Sequence, residues 1–415
     1  MERTHGRPRP RPRLLVALAL AAAVAGGATG ALLVRSQPAP LAGRAGRAGN
    51  AAAPAAGATP MTTSPAAVPV PRLRLALDRA GRAPWDAPLH LTAEQAVLRS
   101  VRVVDDRGDE VTGTLGAQGW SSDATLVPAA RYTLTASYTD LGGAPGSAAL
   151  VARASDPRAT LTAVLSPGDA DVVGVGQPVV VTASRDVPAA QRAMVLDRLR
   201  VRTAPAQQGA WRWVSAREVH WRPRDYWRPH TAVGVDSDLD RLDLGGGTWG
   251  SGHHTTDFTI GDRHVSTADT VAHTLTVRAG TTVVRVLPIS AGNAQFPTRS
   301  GVHLALEKVP SLVFDSSTIG IPSGGSGGYK KTVAWDVRLT YSGTFVHAAP
   351  WSQASQGRAN VSHGCLNVST ADARWFYDFT RRGDVVTIKG SGVPPLPQDP
   401  GSVDWNLSWE QWQAA

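Results

Sequence analysis

Along most of the chain apolar and polar residues alternate with a period of two, the pattern of half-buried β-strands. Within residues 70–155 short stretches of this kind recur, LRLAL at 73–77, VRVV at 101–104 and YTLTASY at 132–138, separated by turn formers such as DDRGD. That rhythm predicts a small antiparallel sandwich. A second segment, 156–260, has the same character, with LTAVL, QPVVVTAS and Trp-rich stretches around Trp211, Trp213, Trp221 and Trp227. Strands continue through 261–392, where HTLTVRAG and TTVVRVLPIS predict a hairpin, with GVHLALEK and VAWDVRLTYSGTFVHAAP after it. Helical spacing occurs from Ala371 to Arg382, with Trp375, Phe376 and Phe379 on one side and Gly383 closing the run. The tail, 393–415, begins Pro-rich and carries Trp405, Trp409 and Trp412, which suit packing back on the folded part. The fold class read from this pattern is mainly β: two sandwiches, then a third, mostly β domain with a short helix.

The first 35 residues break the rhythm. Arg3, Arg7, Arg9, Arg11 and Arg13 precede an apolar run from Leu14 to Val34, which Arg35 ends. At about 1.5 Å per residue the run is long enough for a bilayer core of about 30 Å. Residues 1–35 therefore read as a signal peptide or an uncleaved membrane anchor, and both send the downstream chain outside the cytoplasm. Residues 36–69, rich in Ala, Pro and Gly, read as a disordered tether. The formal charge of +9 changes meaning once it is located, because residues 1–47 hold eight Arg and one Glu. The folded part is close to balanced, so the charge gives no basic face for nucleic acid.

Cys365 is the single cysteine, so no internal disulfide forms, and an exported lone thiol is an oxidation hazard that a function must justify. It lies in VSHGCLNVS at 361–369, with His363 two residues before it, Gly364 between and Asn367 two residues after. Glycine has no side chain, so its amide can approach a reacting carbonyl and take backbone angles closed to other residues. With the Cys365 amide it suits an oxyanion hole. A thiol nucleophile needs an imidazole that removes its proton or pairs with it as imidazolium. His363 and His347 are both available, and the period-two pattern places His347 at the end of the strand TFVH.

The stretch HAAPWSQASQGRANVSHGCLN resembles the signature of the L,D-transpeptidases with the YkuD-type catalytic fold, in its actinobacterial, mycobacterial-type branch. The resemblance implies two immunoglobulin-like β-sandwich domains ahead of a catalytic domain at 261–392. It implies Cys365 as nucleophile, His347 as general base and acid, and the Gly364 and Cys365 amides as oxyanion donors, with His363 shaping the site. The family's position after the base is often Ser, acting through its backbone carbonyl; here it is Ala348, which still supplies a carbonyl. Tyr329, after the Gly-rich run 324–328, falls where the family carries a Tyr on a mobile lid. Ser342, Gly343, Ser362 and Asn367 match substrate-contacting positions, and Trp351 an aromatic wall. By composition alone the Gly-rich run is a plain loop, Tyr329 and Trp351 are packing aromatics and Ser342-Gly343 a turn.

The implied reaction is acyl transfer on peptidoglycan, in the cell envelope outside the cytoplasm. Cys365 attacks a tetrapeptide donor stem, D-Ala leaves, and the amine of a diaminopimelate-bearing acceptor stem resolves the thioester into a 3-3 cross-link. Carbapenems, a class of beta-lactams, are the implied inhibitors, and the chemistry requires no metal or organic cofactor. Water as acceptor would make the protein an L,D-carboxypeptidase, a protein amine would make it an attachment enzyme, and a decayed site would leave a non-catalytic wall-binding module. His253 and His254 with Asp257 nearby have no second cluster at metal-ligand spacing, and the Trp-rich stretch reads as packing rather than a sugar platform.

Overall fold

The computed structural model describes residues 71–414 except 320–321, 326–327, 398 and 400–403. The expected leader and tether lie outside the described residues, among which no helix is long and apolar enough to cross a membrane.

Residues 72–153 form two four-stranded antiparallel sheets packed face to face. Their alternation is what buries a core around Leu89, Leu91, Trp120, Tyr132 and Leu134. The Tyr132 hydroxyl turns back to accept from the Val127 amide at 2.7 Å, a corner typical of immunoglobulin-like domains. A second pair of four-stranded sheets comes next, one built on Val179–Ala183 and Glu218–Pro223, the other on Ala232–Asp238 and His253–Ile260. Trp221 and Trp227 are buried in this unit, and Trp227 Nε1 donates to the Gln177 carbonyl at 2.6 Å. Those rings are core. His253 and His254 lie at the exposed start of the strand His253–Ile260, and His253 Nε2 faces Asp236 at 3.2 Å. Among the described residues no cluster of His, Cys, Asp and Glu is arranged for a metal.

The last unit has a five-stranded sheet in the order Thr282–Pro288, Thr274–Ala279, His264–Asp269, Val385–Lys389, Gly301–Leu304. A four-stranded sheet runs Glu307–Asp315, Lys330–Arg338, Phe345–Ala348, Leu366–Val368. The hairpin expected at 274–288 is formed. The helix is Thr370–Phe379, shorter than the expected run to Arg382, because Thr380 turns extended and the Asp384 carboxylate accepts from the Arg381 amide at 2.7 Å. Ser369 caps it by accepting from the Asp372 amide at 3.1 Å, a contribution of about 1 kcal/mol. Phe376 and Ala373 bury the helix against the four-stranded sheet, with Trp375 and Phe379 partly covered beside them.

The second sandwich and the last unit share a core in which Val173, Val175, Trp221 and Phe258 pack with Leu304 and Val385. The backbones touch: the Gly174 amide donates to the Arg382 carbonyl at 2.7 Å and the Gly176 amide to that of Gly383 at 2.9 Å. A Cβ on Gly174 would stand 2.2 Å from the Asp384 nitrogen, so only glycine fits. The tail reinforces this joint. Trp412 is fully buried with its Nε1 donating to the Ala210 carbonyl, and Trp405 Nε1 donates to that of Gly176. The buried Arg222 guanidinium lies 4.6, 5.4 and 4.7 Å from the rings of Trp405, Trp409 and Trp412, cation–π geometry strengthened by desolvation.

Candidate active site

Phe345–Ala348 is buried at every position. It pairs antiparallel with Lys330–Arg338 on one side and parallel with Leu366–Val368 on the other, so that His347 lies beside Asn367. A histidine on such an inner strand cannot rotate away into solvent. Its Nδ1–H donates to the Ala348 carbonyl at 3.0 Å; since a carbonyl only accepts, Nδ1 carries the proton and Nε2 keeps its lone pair. Burial pushes the imidazole down to about 4, against the raising effect of the Ala348 carbonyl. His347 is therefore neutral at pH 7.

The turn before Leu366 presents Cys365. The Ser362 hydroxyl braces it from within, donating to the Cys365 carbonyl at 2.6 Å and accepting from the Gly364 amide at 3.1 Å. Thr298 braces it from outside through its hydroxyl to the Gly364 carbonyl at 2.8 Å. Gly364 has φ +121°, while a Cβ there would meet nothing closer than 4.0 Å. The glycine is thus required by backbone angle, not by crowding. Its amide already donates to Ser362, which departs from the expectation of a free oxyanion donor at that position. The Cys365 thiol donates to the Gly343 carbonyl at 3.5 Å, and burial pushes it up to about 12. At rest the thiol and the imidazole are therefore both neutral.

Two cavities meet at the sulfur. One of about 260 Å³ is lined by His347, Trp351, Ser362, His363, Cys365 and Asn367 among others. The second, of about 740 Å³, includes Phe296, Arg299, Ser342, Gly343, Gly364 and Cys365. Phe314, Tyr329, His363 and Cys365 line both. The His363 ring sits between Phe296 at 4.9 Å and Tyr329 at 5.2 Å, so it forms part of the wall. Asn367 is buried with its Nδ2 donating to Ser352 at 3.1 Å. Trp351 is half exposed, 6.2 Å from the His347 ring, with Lys331 Nζ 4.6 Å above it.

All of the sequence-expected residues except Ala348, which accepts from His347, line these two cavities, and three further residues touch them or the backbone around them. Phe314 meets His347 edge-on at 5.0 Å. In the sequence it is one apolar residue of a strand, with no chemical signal. Thr298 lies far upstream of the motif. Asp399, in the C-terminal segment, accepts from the Ser342 amide and hydroxyl, and nothing in its Pro-rich surroundings announces it.

Two family models match the chain. A family model described as the YkuD L,D-transpeptidase catalytic domain matches residues 263–388, and a bacterial Ig domain model matches residues 80–243. L,D-transpeptidase 2 of Mycobacterium tuberculosis (strain CDC 1551 / Oshkosh) is 41% identical over 331 residues, 79% of this chain and 80% of that protein. L,D-transpeptidase 1 of Mycobacterium tuberculosis (strain ATCC 25618 / H37Rv) is 40% identical over 228 residues, 55% of this chain and 84% of that protein. The solved structure of L,D-transpeptidase LdtMt1 in complex with imipenem is 39% identical with a TM-score of 0.50, covering 56% of this chain and 100% of that one. Likeness at this level, through the Ig-like part as well as the domain that holds Cys365 and His347, makes this chain a member of the L,D-transpeptidase family.

Proposed function

We propose that this protein is an extracytoplasmic peptidoglycan L,D-transpeptidase that forms 3-3 cross-links through a thioester on Cys365. The observation that carries the reading is that Cys365 lines two cavities, the first of which is also lined by a rigid neutral imidazole, His347. Two cavities suit a reaction with two large substrates, a donor stem and an acceptor stem.

In the proposed sequence His347 Nε2 takes the thiol proton as the sulfur attacks the carbonyl of the third residue of a tetrapeptide stem. The Cys365 amide stabilises the tetrahedral oxyanion, and the Gly364 amide joins it on leaving the Ser362 hydroxyl. The carbon–nitrogen bond to terminal D-Ala breaks, and His347 returns the proton to the departing amine. The side-chain amine of a diaminopimelate on a second stem then attacks the thioester, His347 takes its proton, and the thiol is regenerated. Tyr329 covers the junction, Trp351 walls the first cavity, and Ser342, Gly343, Ser362 and Asn367 hold the backbone that frames the stem. The leader tethers or exports the enzyme, and a carbapenem acylates the same sulfur.

Incubating a leaderless protein with defined tetrapeptide muropeptides, followed by mass analysis, tests this reading. A dimer lighter by one D-Ala and one bond shifted from a 4-3 linkage supports it. Release of D-Ala with no dimer would assign a carboxypeptidase, and an unchanged substrate with an unreactive Cys365 would leave a wall-binding protein.

A further inference from the structure

Asp336 is fully buried, and neither of its carboxyl oxygens has a hydrogen-bond partner among the described residues. Buried polar atoms are almost always paired, so such an acid calls for a physical reason. It comes directly after Trp335, whose φ of +60° is rare for a bulky residue. That backbone angle is held by packing, since the Trp335 ring meets Tyr377 at 5.4 Å and carries the Arg374 guanidinium at 4.2 Å.

The effect is a change of sides. Val333 lines the first cavity, whereas Trp335 and Val337 pack with the helix-side core. Asp336 and Arg338 consequently share the active-site face, where Arg338 lies 4.4 Å from the Phe345 ring and lines the second cavity. The neighbouring strand is in antiparallel register, Val337 with Val346 and Arg338 with Phe345. Extending that register by one rung brings Asp336 level with His347, and since alternate residues of a strand share a face, Asp336 falls on the face that Arg338, Phe345 and His347 share.

We propose that Asp336 is a positioning residue for acyl transfer, whose ionised carboxylate is the counter-charge for the imidazolium of His347. The proposal rests on His347 being the base. At rest the imidazole is neutral and needs no partner, so the acid can stay unpaired. When the thiol proton moves to Nε2 and sulfur bonds to the carbonyl carbon, sulfur becomes neutral, and imidazolium and oxyanion are the charges left in a buried site. The amide donors serve the oxyanion; on this face Asp336 is the acid beside the imidazolium.

The surrounding charges agree. Burial holds the Asp336 carboxyl up at about 7, with Arg338 pulling it down, so ionised and neutral forms are both populated near neutral pH. Its charge reaches the sulfur, where it adds to the upward push on Cys365. Arg338 is itself paired with Glu307 at 3.0 Å, and Lys331 stands over Trp351 at the cavity edge. The groups facing Asp336 are thus Arg338 with its Glu307 partner, His347 and Cys365.

The test is the rate of Cys365 acylation by imipenem, tracked by intact mass between pH 5.5 and 8.5, for the parent and Asp336→Asn. The parent rate should climb as pH rises through about 7. Asp336→Asn should be slower by at least about tenfold, less than the roughly 10⁴-fold loss where an acid is hydrogen-bonded to the imidazole, and should lose that limb. An unchanged rate and pH limb in Asp336→Asn would overturn the proposal. A parent that is not acylated at all would instead overturn the reading of Cys365 and His347. Should Asp336→Asn fail to fold, carbon-13 carboxyl spectra of the parent decide: an aspartate titrating near 7 that responds to His347→Gln supports the role, and its absence removes it.

Discussion

Asp399 accepts from the Ser342 amide at 3.0 Å and from the Ser342 hydroxyl at 2.5 Å. The next residue, Gly343, offers the carbonyl that receives the Cys365 thiol. A residue of the C-terminal segment therefore fixes the turn whose carbonyl receives the Cys365 thiol. Asp399→Ala should slow imipenem acylation by about tenfold, because misplacing a reacting group by about 1 Å can cost a hundredfold. Asp399→Asn, which keeps an acceptor, should be milder. Equal rates in all three proteins would show that the turn holds without its latch.

Cys365→Ala should abolish both acylation and cross-linking, and His347→Ala should come close, since nucleophile and base act as a unit. His363→Ala should cost less, because its ring is wall between Phe296 and Tyr329. Steady-state turnover on muropeptides ranks the three; a His363→Ala loss as deep as that of His347→Ala would reassign the base.

Burial raises the thiol to about 12 and lowers His347 to about 4. Thiolate is then scarce at pH 7 and grows only as pH rises past the ordinary thiol range. Alkylation by iodoacetamide should be slow at neutral pH and still climbing above pH 9, while imipenem, whose carbonyl the site polarises, reacts at pH 7 and adds one drug mass. A rate with iodoacetamide that plateaus below pH 7 would point to a resting thiolate–imidazolium pair.

Gly364→Ala should inactivate the enzyme with little crowding, since the space beside it is open but φ is +121°. The strain of that angle is about 1–3 kcal/mol for a residue with a side chain. Thermal melting should register a loss of that order, and acylation should fall further than stability does.

The second sandwich grips the tail through His220, whose ring meets Asp404 at 2.7 Å and Glu218 at 2.6 Å. These acids overcome burial and raise the imidazole from 6.5 to about 9. A raised folded value gives stability that is complete below about 6.5 and lost as pH rises through 9. Hydrogen exchange in residues 404–413 should accelerate between pH 7 and 10 beyond its intrinsic rise, and His220→Gln should remove the difference.

Much of the fold was legible because strand faces must alternate and core residues must be apolar. LTASY around Leu134 and FVHA around His347 carry that demand in plain form. Cys365, His363 and Gly364 were legible as a compact motif, and His347 as the polar residue of a buried strand. Asp336 was not, because an acid in AWDVR looks like a solvent-facing strand position until Trp335 adopts a left-handed angle, and tryptophan gives no sign of that. Asp399 was hidden by distance along the chain. The role of Gly364 was half visible: the need for glycine came from the motif, but only the structure shows Ser362 already holding its amide.

The shared core of the second sandwich and the last unit also has a calorimetric meaning. Leu304 and Val385 lose their cover if that sandwich opens, and Trp221 and Phe258 lose theirs if the last unit opens. Heat should therefore melt the two as one transition, while the first sandwich, whose core draws only on residues 73–154, is free to melt in another. A lesion at Gly176, remote from the sulfur in sequence and sheet, should then lower the melting point of the active site itself.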